Sequence, residues 1–406
     1  MLVACGCRLC YHMVDPVQRT MAQPNISRET STSRQTVKDS VADVGVVLDE
    51  LAALSVFLVA DVNAYLSSGA AQALHASLAN RNVTLFTKFD PNPKFENVLE
   101  GVELFKAARP QVVLAVGGGT AIDMAKLINH LAAQPVEPKE ALNPRGGVRP
   151  GRSLIAVPTT AGSGAEATHF AVVYIDGIKH SIEHAHIRPE FAVVDPSLTE
   201  SVPASTAAHS GLDALCQAIE SLWSVHADEV SIPHANEALE LILPNLTAAV
   251  GEGVLQARTA MSRGAHLAGK AIDITHTTAA HALSYPLTSR FGVPHGAAVA
   301  MLIGPVLQFN NAVETKDCND YRGPTTVRHR IEDIVQMFGC KSADEGASWL
   351  TGLVAAVDCP TRLSEVGVKT SAQIKILVEE VSIDRLSNNP RKMTPETITK
   401  LYADLI

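Results

Sequence analysis

From residue 55 onward, short runs rich in β-branched and apolar residues alternate with stretches whose apolar positions recur every three or four places. Residues 55–60, 83–86, 112–116 and 154–157 carry the first pattern and predict buried strands; 70–79, 96–107 and 121–132 carry the second and predict helices. Strands separated by single helices make βαβ units, and hence a mostly parallel sheet. Residues 136–152, rich in Pro and Gly, read as a loop. The runs 171–174 and 180–183 flank Asp176-Gly177 and predict a hairpin, and 191–194 is the last clear strand. From Pro203 onward the periodicity is helical. The expected fold is an α/β N-terminal domain with a mostly parallel sheet, followed by an all-α C-terminal domain.

A chain of 406 residues is longer than one hydrophobic core usually serves, which agrees with two domains, bounded here as 38–202 and 203–406. Residues 1–37, polar and ending in a Ser/Thr run, are expected to be a disordered leader. They hold Cys5, Cys7, Cys10 and His12, whose spacing is not that of a standard zinc module. A net charge of −9 without a long Lys/Arg cluster argues against a nucleic-acid or anionic-membrane surface. No apolar run approaches the ~20 residues that span a bilayer. Seven cysteines, an odd count, favour reduced thiols and a cytoplasmic protein.

Four residues look like a mononuclear metal site. Asp213 and Gln217 stand four apart in a helical segment, so both side chains leave one face. His281 and His295 follow, the second in Val293-Pro294-His295-Gly296. A carboxylate with two imidazoles suits Fe²⁺ or Zn²⁺ and can polarise an aldehyde oxygen during hydride transfer. Gln217 fits a weak fourth ligand or a neighbour that hydrogen-bonds to the ligands. Each histidine taken singly is more often structural, and it is the joint pattern that points to a metal.

Upstream, Gly117-Gly118-Gly119-Thr120 joins a strand to a helix, where backbone N–H groups and the helix N-terminus favour a pyrophosphate. A tight structural turn is the alternative. Asp61 ends a strand, placed to accept from a ribose and to repel a 2′-phosphate, or simply to cap the next turn. Thr159, Thr160 and Ser163 lie in a second loop of small and hydroxyl residues.

In order and combination, Gly117-Gly118-Gly119-Thr120-Ala121-Ile122-Asp123, Pro158-Thr159-Thr160-Ala161-Gly162-Ser163-Gly164-Ala165-Glu166, Gly211-Leu212-Asp213-Ala214-Leu215 and Pro294-His295-Gly296 resemble the iron-containing (group III) alcohol dehydrogenase family. The resemblance runs from about Asp43 to the C-terminus. It implies an N-terminal dinucleotide-binding domain, a helical C-terminal domain and an active site between them. It places metal ligands on Asp213, His281 and His295, with Gln217 where a further histidine is usual and Tyr285 in place of another, as a candidate proton donor. On the cofactor side, taking NAD(H) or NADP(H), it implies Asp61, Gly117, Gly118, Gly119, Asp123, Thr159, Thr160, Ser163 and Lys179. Members are commonly dimers or larger, so a homodimer is expected. Within the family, the stretch 213–224, the segments around Lys270 and His281, and the tail 388–394 are most similar to phosphonoacetaldehyde reductases. That subgroup implies a small anionic aldehyde as substrate, for which Lys270 and Arg290 are the candidate anchors. A general short-chain alcohol or diol dehydrogenase, a lyase and a metal-free binding protein are the alternatives.

Overall fold

In the computed structural model the described residues are 35–406, without 92, 143–147, 177 and 252 and without the side chains of 178, 383 and 384. The string Cys5, Cys7, Cys10 and His12 lies outside them, as does Gly177 of the hairpin.

The N-terminal lobe runs β1 (Thr36–Lys38), α1 (Asp43–Glu50), β2 (Ser55–Ala60), α2 (Val62–Ser67), α3 (Ala70–Leu78), β3 (Asn82–Phe86) and α4 (Phe95–Ala108). It continues with β4 (Val112–Gly117), α5 (Gly119–Ala133), α6 (Pro138–Ala141), β5 (Ser153–Pro158), β6 (Phe170–Ile175), β7 (Ile178–Glu183) and β8 (Phe191–Val193). Six strands form one parallel sheet in the order β1-β8-β5-β4-β2-β3, and β6 and β7 make a separate antiparallel hairpin.

The sequence of β2 shows why these strands form. Its Phe57 and Val59 enter one core with α4 and α5, while Val56, Leu58 and Ala60 enter the other with α1 and α3. A strand covered on both faces is apolar throughout, and that is how it reads. The chain leaves β2 to one side for β3, then returns to its other side for β4. The order therefore reverses between β2 and β4, and ligands bind at the carboxyl ends of strands beside such a reversal.

Beyond Pro203 the described chain is helical: α7 (Ala204–Trp223), α8 (Ser231–Ile242), α9 (Leu246–Gly251), α10 (Leu255–Thr275), α11 (Ala279–Phe291), α12 (His295–Asn311), α13 (Pro324–Met337), α14 (Ala343–Ala356), α15 (Ser371–Glu379), α16 (Ile383–Leu386) and α17 (Pro395–Asp404). Helix α7 is buried at every residue from Gly211 to Trp223, so it is the lobe's centre rather than an amphipathic surface helix. The lobes pack as one unit. The loop after β5 joins them: the backbone of Gly164 lies against Gly269 of α10, and Gly162 against Ser210 of α7.

Two expectations need correction. The leader was expected to reach residue 37, but Thr36–Lys38 is already an edge strand paired with β8. Residues 136–152 hold the short α6, which starts with Pro138 at its first turn, where a missing N–H costs nothing. Among the described residues no helix is long and apolar enough to cross a membrane.

Candidate active site between the glycine loop and the metal ligands

Strand register brings the nucleotide-side residues together. Ala60 pairs with Val116, and Gly117 with Pro158, so Asp61, the glycines and Thr159 leave three neighbouring strands at one sheet edge. The glycine loop packs tightly on the second loop. A Cβ added at Gly119 would stand 2.5 Å from Ser163 Oγ, and one at Gly118 would stand 3.3 Å from Thr160 Oγ1. Glycine keeps this edge open for a phosphate to approach backbone N–H groups. Thr159 Oγ1 is buried without a hydrogen-bond partner, a polar atom whose environment calls for a ligand or water.

Two members of the expected cofactor set have structural work. Asp61 Oδ1 accepts from Ala64 N at 2.9 Å and caps α2. Asp123 Oδ2 accepts from Val172 N at 3.0 Å and so ties α5 to β6.

On the helical side, Asp213 (8% exposed) and His281 (3%) are buried together, and His295 is half-buried. Asp213 Oδ1 lies 3.2 Å from His281 Nε2 and 3.9 Å from His295 Nε2. One ligand atom from each of the three falls within 4.8 Å of the others. Burial would raise the Asp213 carboxyl, but the hydrogen bond from His281 and the charge of the histidines hold it below its usual value, so it is ionised. Burial, then Lys179, push the His295 imidazole down to about 3, which leaves it neutral, as a ligand must be.

Gln217, one turn on from Asp213, donates through Nε2 to Ser163 O at 3.4 Å, while its Oε1 is buried with no partner. A carboxylate, two imidazoles and an unpartnered amide oxygen fit a divalent transition metal. Gln217→Ala should therefore weaken metal binding about 10-fold, measured by metal titration of the apoprotein. Unchanged affinity would take Gln217 out of the ligand shell. Ser163 thus touches the glycine loop on one side and Gln217 on the other.

Sequence reasoning missed the group that aims His281. Glu220, fully buried on α7, takes His281 Nδ1 on Oε2, while its Oε1 accepts from Thr278 Oγ1 at 2.7 Å and Ala280 N at 2.8 Å. Trp223 Nε1 secures Thr278 in turn, at 2.8 Å. A carboxylate on Nδ1 fixes the tautomer that leaves Nε2 free for a metal. Burial disfavours the charged imidazole, yet Glu220 and Asp213 on either side pull it up to about 10. Positive charge is stabilised at this point. The signal was available, since Asp213, Gln217 and Glu220 follow one helix face at steps of four and three.

The expected substrate anchors are not brought here. Arg290 is 60% exposed and holds Glu380 with two bonds from Nε, at 2.8 and 3.0 Å. It stands nine residues after His281, about 180° round α11. Lys270 does not continue in one helix towards His281, because α10 ends at Thr275 and His276 turns the chain with φ 54°. It lies instead beside His234 of α8, whose imidazole burial and then the Lys270 charge hold low. Tyr285, one turn after His281, does reach the site: its ring stacks on His295 with centroids 5.7 Å apart. Lys179 reaches the same ring from β7.

A parallel sheet with a glycine loop at its reversal point, closed by a helical lobe carrying three residues that could hold a metal ion, fits a metal-dependent dinucleotide oxidoreductase. The chain belongs to the iron-containing alcohol dehydrogenase family: residues 35–196 match the model described as "Iron-containing alcohol dehydrogenase" and residues 207–406 that of the Fe-containing alcohol dehydrogenase family, C-terminal. It is 34% identical to the phosphonoacetaldehyde reductase of Streptomyces viridochromogenes, over 74% of this chain and 77% of that one. It is 32% identical to long-chain-alcohol dehydrogenase 1 of Geobacillus thermodenitrificans, over 79% and 81%. Among solved structures, the sulfoacetaldehyde reductase of Bifidobacterium kashiwanohense in complex with NAD⁺ is similar with a TM-score of 0.82 and 27% identity, covering 91% of this chain and 96% of that one. The chain is accordingly an NAD-dependent alcohol dehydrogenase or aldehyde reductase, of a family that uses NAD(H) and iron.

Proposed function

We propose that the protein reduces phosphonoacetaldehyde to 2-hydroxyethylphosphonate with NADH. The observation that carries the chemistry is the Asp213–His281–His295 set, linked to the glycine loop through the Gln217–Ser163 contact. The likeness to the Streptomyces reductase supports the substrate. When bound, the cofactors supply a hydride from the nicotinamide and polarisation of the carbonyl oxygen by the cation. The chain's own residues do the rest. Asp213, His281 and His295 would hold the cation, with Gln217 Oε1 as the weak fourth donor, and Glu220 fixes the His281 ring. The glycine loop and Thr159 would face the nucleotide, and Asp61 at the end of β2 would stand near its ribose.

Tyr285 moves the proton. Its hydroxyl accepts from Arg385 and also has Thr277 as a side-chain hydrogen-bond partner, so it belongs to a polar network beside the site. Burial would raise this phenol, but Lys179 and then Arg385 outweigh it and bring it down to about 8, close to the value that suits proton transfer near neutral pH.

Anaerobic kinetics of the iron-loaded enzyme test this reading, with phosphonoacetaldehyde against propanal and NADH against NADPH. The expected kcat/KM is about 100-fold higher for the phosphonate, on the scale of one or two charged hydrogen bonds. Equal values for the two aldehydes would instead mark a general short-chain alcohol dehydrogenase.

A further inference from the structure

Two cations meet on one aromatic ring beside the metal ligands. Lys179 places Nζ 3.7 Å from the centroid of Tyr285. Arg385, on the short helix α16, donates from Nη1 to the Tyr285 hydroxyl at 2.9 Å, with Cζ 5.0 Å from the same centroid. Several other cations have carboxylate partners, since Lys126 lies near Asp123, Arg290 holds Glu380 and Arg322 holds Asp320, while buried Arg258 is satisfied by the carbonyls of Thr199 and Val202. Among the described residues, Lys179 and Arg385 have no carboxylate within ion-pair distance. Burial holds the Lys179 ammonium below its usual value; Tyr285 opposes this, Arg385 adds to it, and the more distant Asp213 and Asp123 oppose it in turn. Like charges gathered in a half-buried pocket are unfavourable on their own account and become favourable against an anion.

We propose that Lys179 and Arg385, gathered on Tyr285, bind the anionic tail of the substrate, and that their double charge selects a tetrahedral dianion over a monoanion or an uncharged tail. The proposal rests on the reading that a short aldehyde is reduced at the neighbouring metal site. Reach supports it. A single methylene separates phosphorus from the carbonyl carbon of phosphonoacetaldehyde, so the tail must lie against the ligand shell. Tyr285, stacked on His295, puts both cations there. The guanidinium offers a planar fork to two phosphonate oxygens, and the ammonium a point charge to the third. Lys179 thereby takes a substrate role in place of the cofactor role that family resemblance implies.

The test uses the iron-loaded enzyme with NADH as wild type, Arg385→Gln and Arg290→Gln, the last removing a cation that Glu380 already occupies on the surface. Each is assayed on phosphonoacetaldehyde, sulfoacetaldehyde and propanal, and ethylphosphonate is titrated as an inhibitor of propanal reduction. Arg385→Gln should lower the phosphonoacetaldehyde-to-propanal ratio of kcat/KM about 30-fold and raise the ethylphosphonate Ki by a similar factor. Taking the ratio cancels any change in proton donation by Tyr285, since both aldehydes need it. Arg290→Gln should leave ratio and Ki within about twofold. Arg385→Lys, which keeps the charge and loses the fork, should fall between, and it serves if the glutamine variant does not fold. An unaltered ratio and Ki in the Arg385 variants would overturn the tail site, while a wild-type preference for phosphonoacetaldehyde would still uphold the substrate reading. A wild type that ignores the phosphonate aldehyde, yet is inhibited by ethylphosphonate through Arg385, would uphold the anion site and overturn the substrate. Equal use of the sulfonate would overturn selection for a dianion.

Discussion

Asp213→Ala is expected to leave the protein without metal and to lower kcat/KM on the order of 10³-fold or more, with the fold and nucleotide binding retained. The carboxylate Oδ1 is the atom both imidazoles face, at 3.2 and 3.9 Å, so its removal leaves two imidazoles and an amide oxygen. That set binds a divalent cation weakly, because the only anionic donor is gone. The fold should tolerate the change. His281 keeps Glu220 on Nδ1, and the buried negative charge that is deleted was costly to desolvate. Asp213 belongs to α7, whereas the glycine loop belongs to the opposite lobe, so nicotinamide fluorescence should report an NADH Kd within a few-fold of wild type. Metal content after gel filtration, a thermal melt and turnover together decide the matter. A metal-replete Asp213→Ala protein would remove this carboxylate from the site, and with it the shared ligand on which the proposed chemistry depends.

The parts of this site legible in the sequence are those where one element supplies the geometry. Asp213 and Gln217 share a helix face by spacing alone, and β2 and β4 announce themselves because strands covered on both sides are apolar throughout. His281 and His295 stand out by residue type and by the glycine that follows the second, although the crossing that unites them is tertiary. The rest depends on crossings between elements far apart in the chain. Arg385 lies 100 residues beyond the Tyr285 hydroxyl it touches, on a four-residue helix with no pattern of its own. Lys270 and Arg290 looked close to His281 along the chain, but a left-handed turn at His276 and half a helical rotation carry them away. Asp61 shows a third case. The position at the strand end was readable, but the capping bond to Ala64 is as real as any ribose contact, and residue type does not separate the two.

Gly296→Ala should destabilise the protein by about 3 kcal/mol and weaken metal binding by about 100-fold, although one methyl group is the whole change. Gly296 stands in the first turn of α12, directly after the proposed ligand His295 and against α7. A Cβ there would meet the carbonyl oxygen of His209 at 1.8 Å, the carbonyl carbon at 2.8 Å and Asp213 Cβ at 3.2 Å. Two of the three atoms belong to the backbone of a buried helix and have no rotamer by which to withdraw, so the cost falls at the upper end for overpacking. The chain relieves the clash by moving α12 away from α7, and these helices carry His295 and Asp213. The 3.9 Å separation of His295 Nε2 from Asp213 Oδ1 therefore widens beyond what one ion bridges. Glycine at this position follows from the site itself, since two ligands on crossing helices meet only where the backbones nearly touch. Thermal melts and metal titration should thus move together in Gly296→Ala, with NADH affinity unaffected. A variant that melts lower yet holds its metal as tightly as wild type would show that the helix crossing and the ligand geometry are independent.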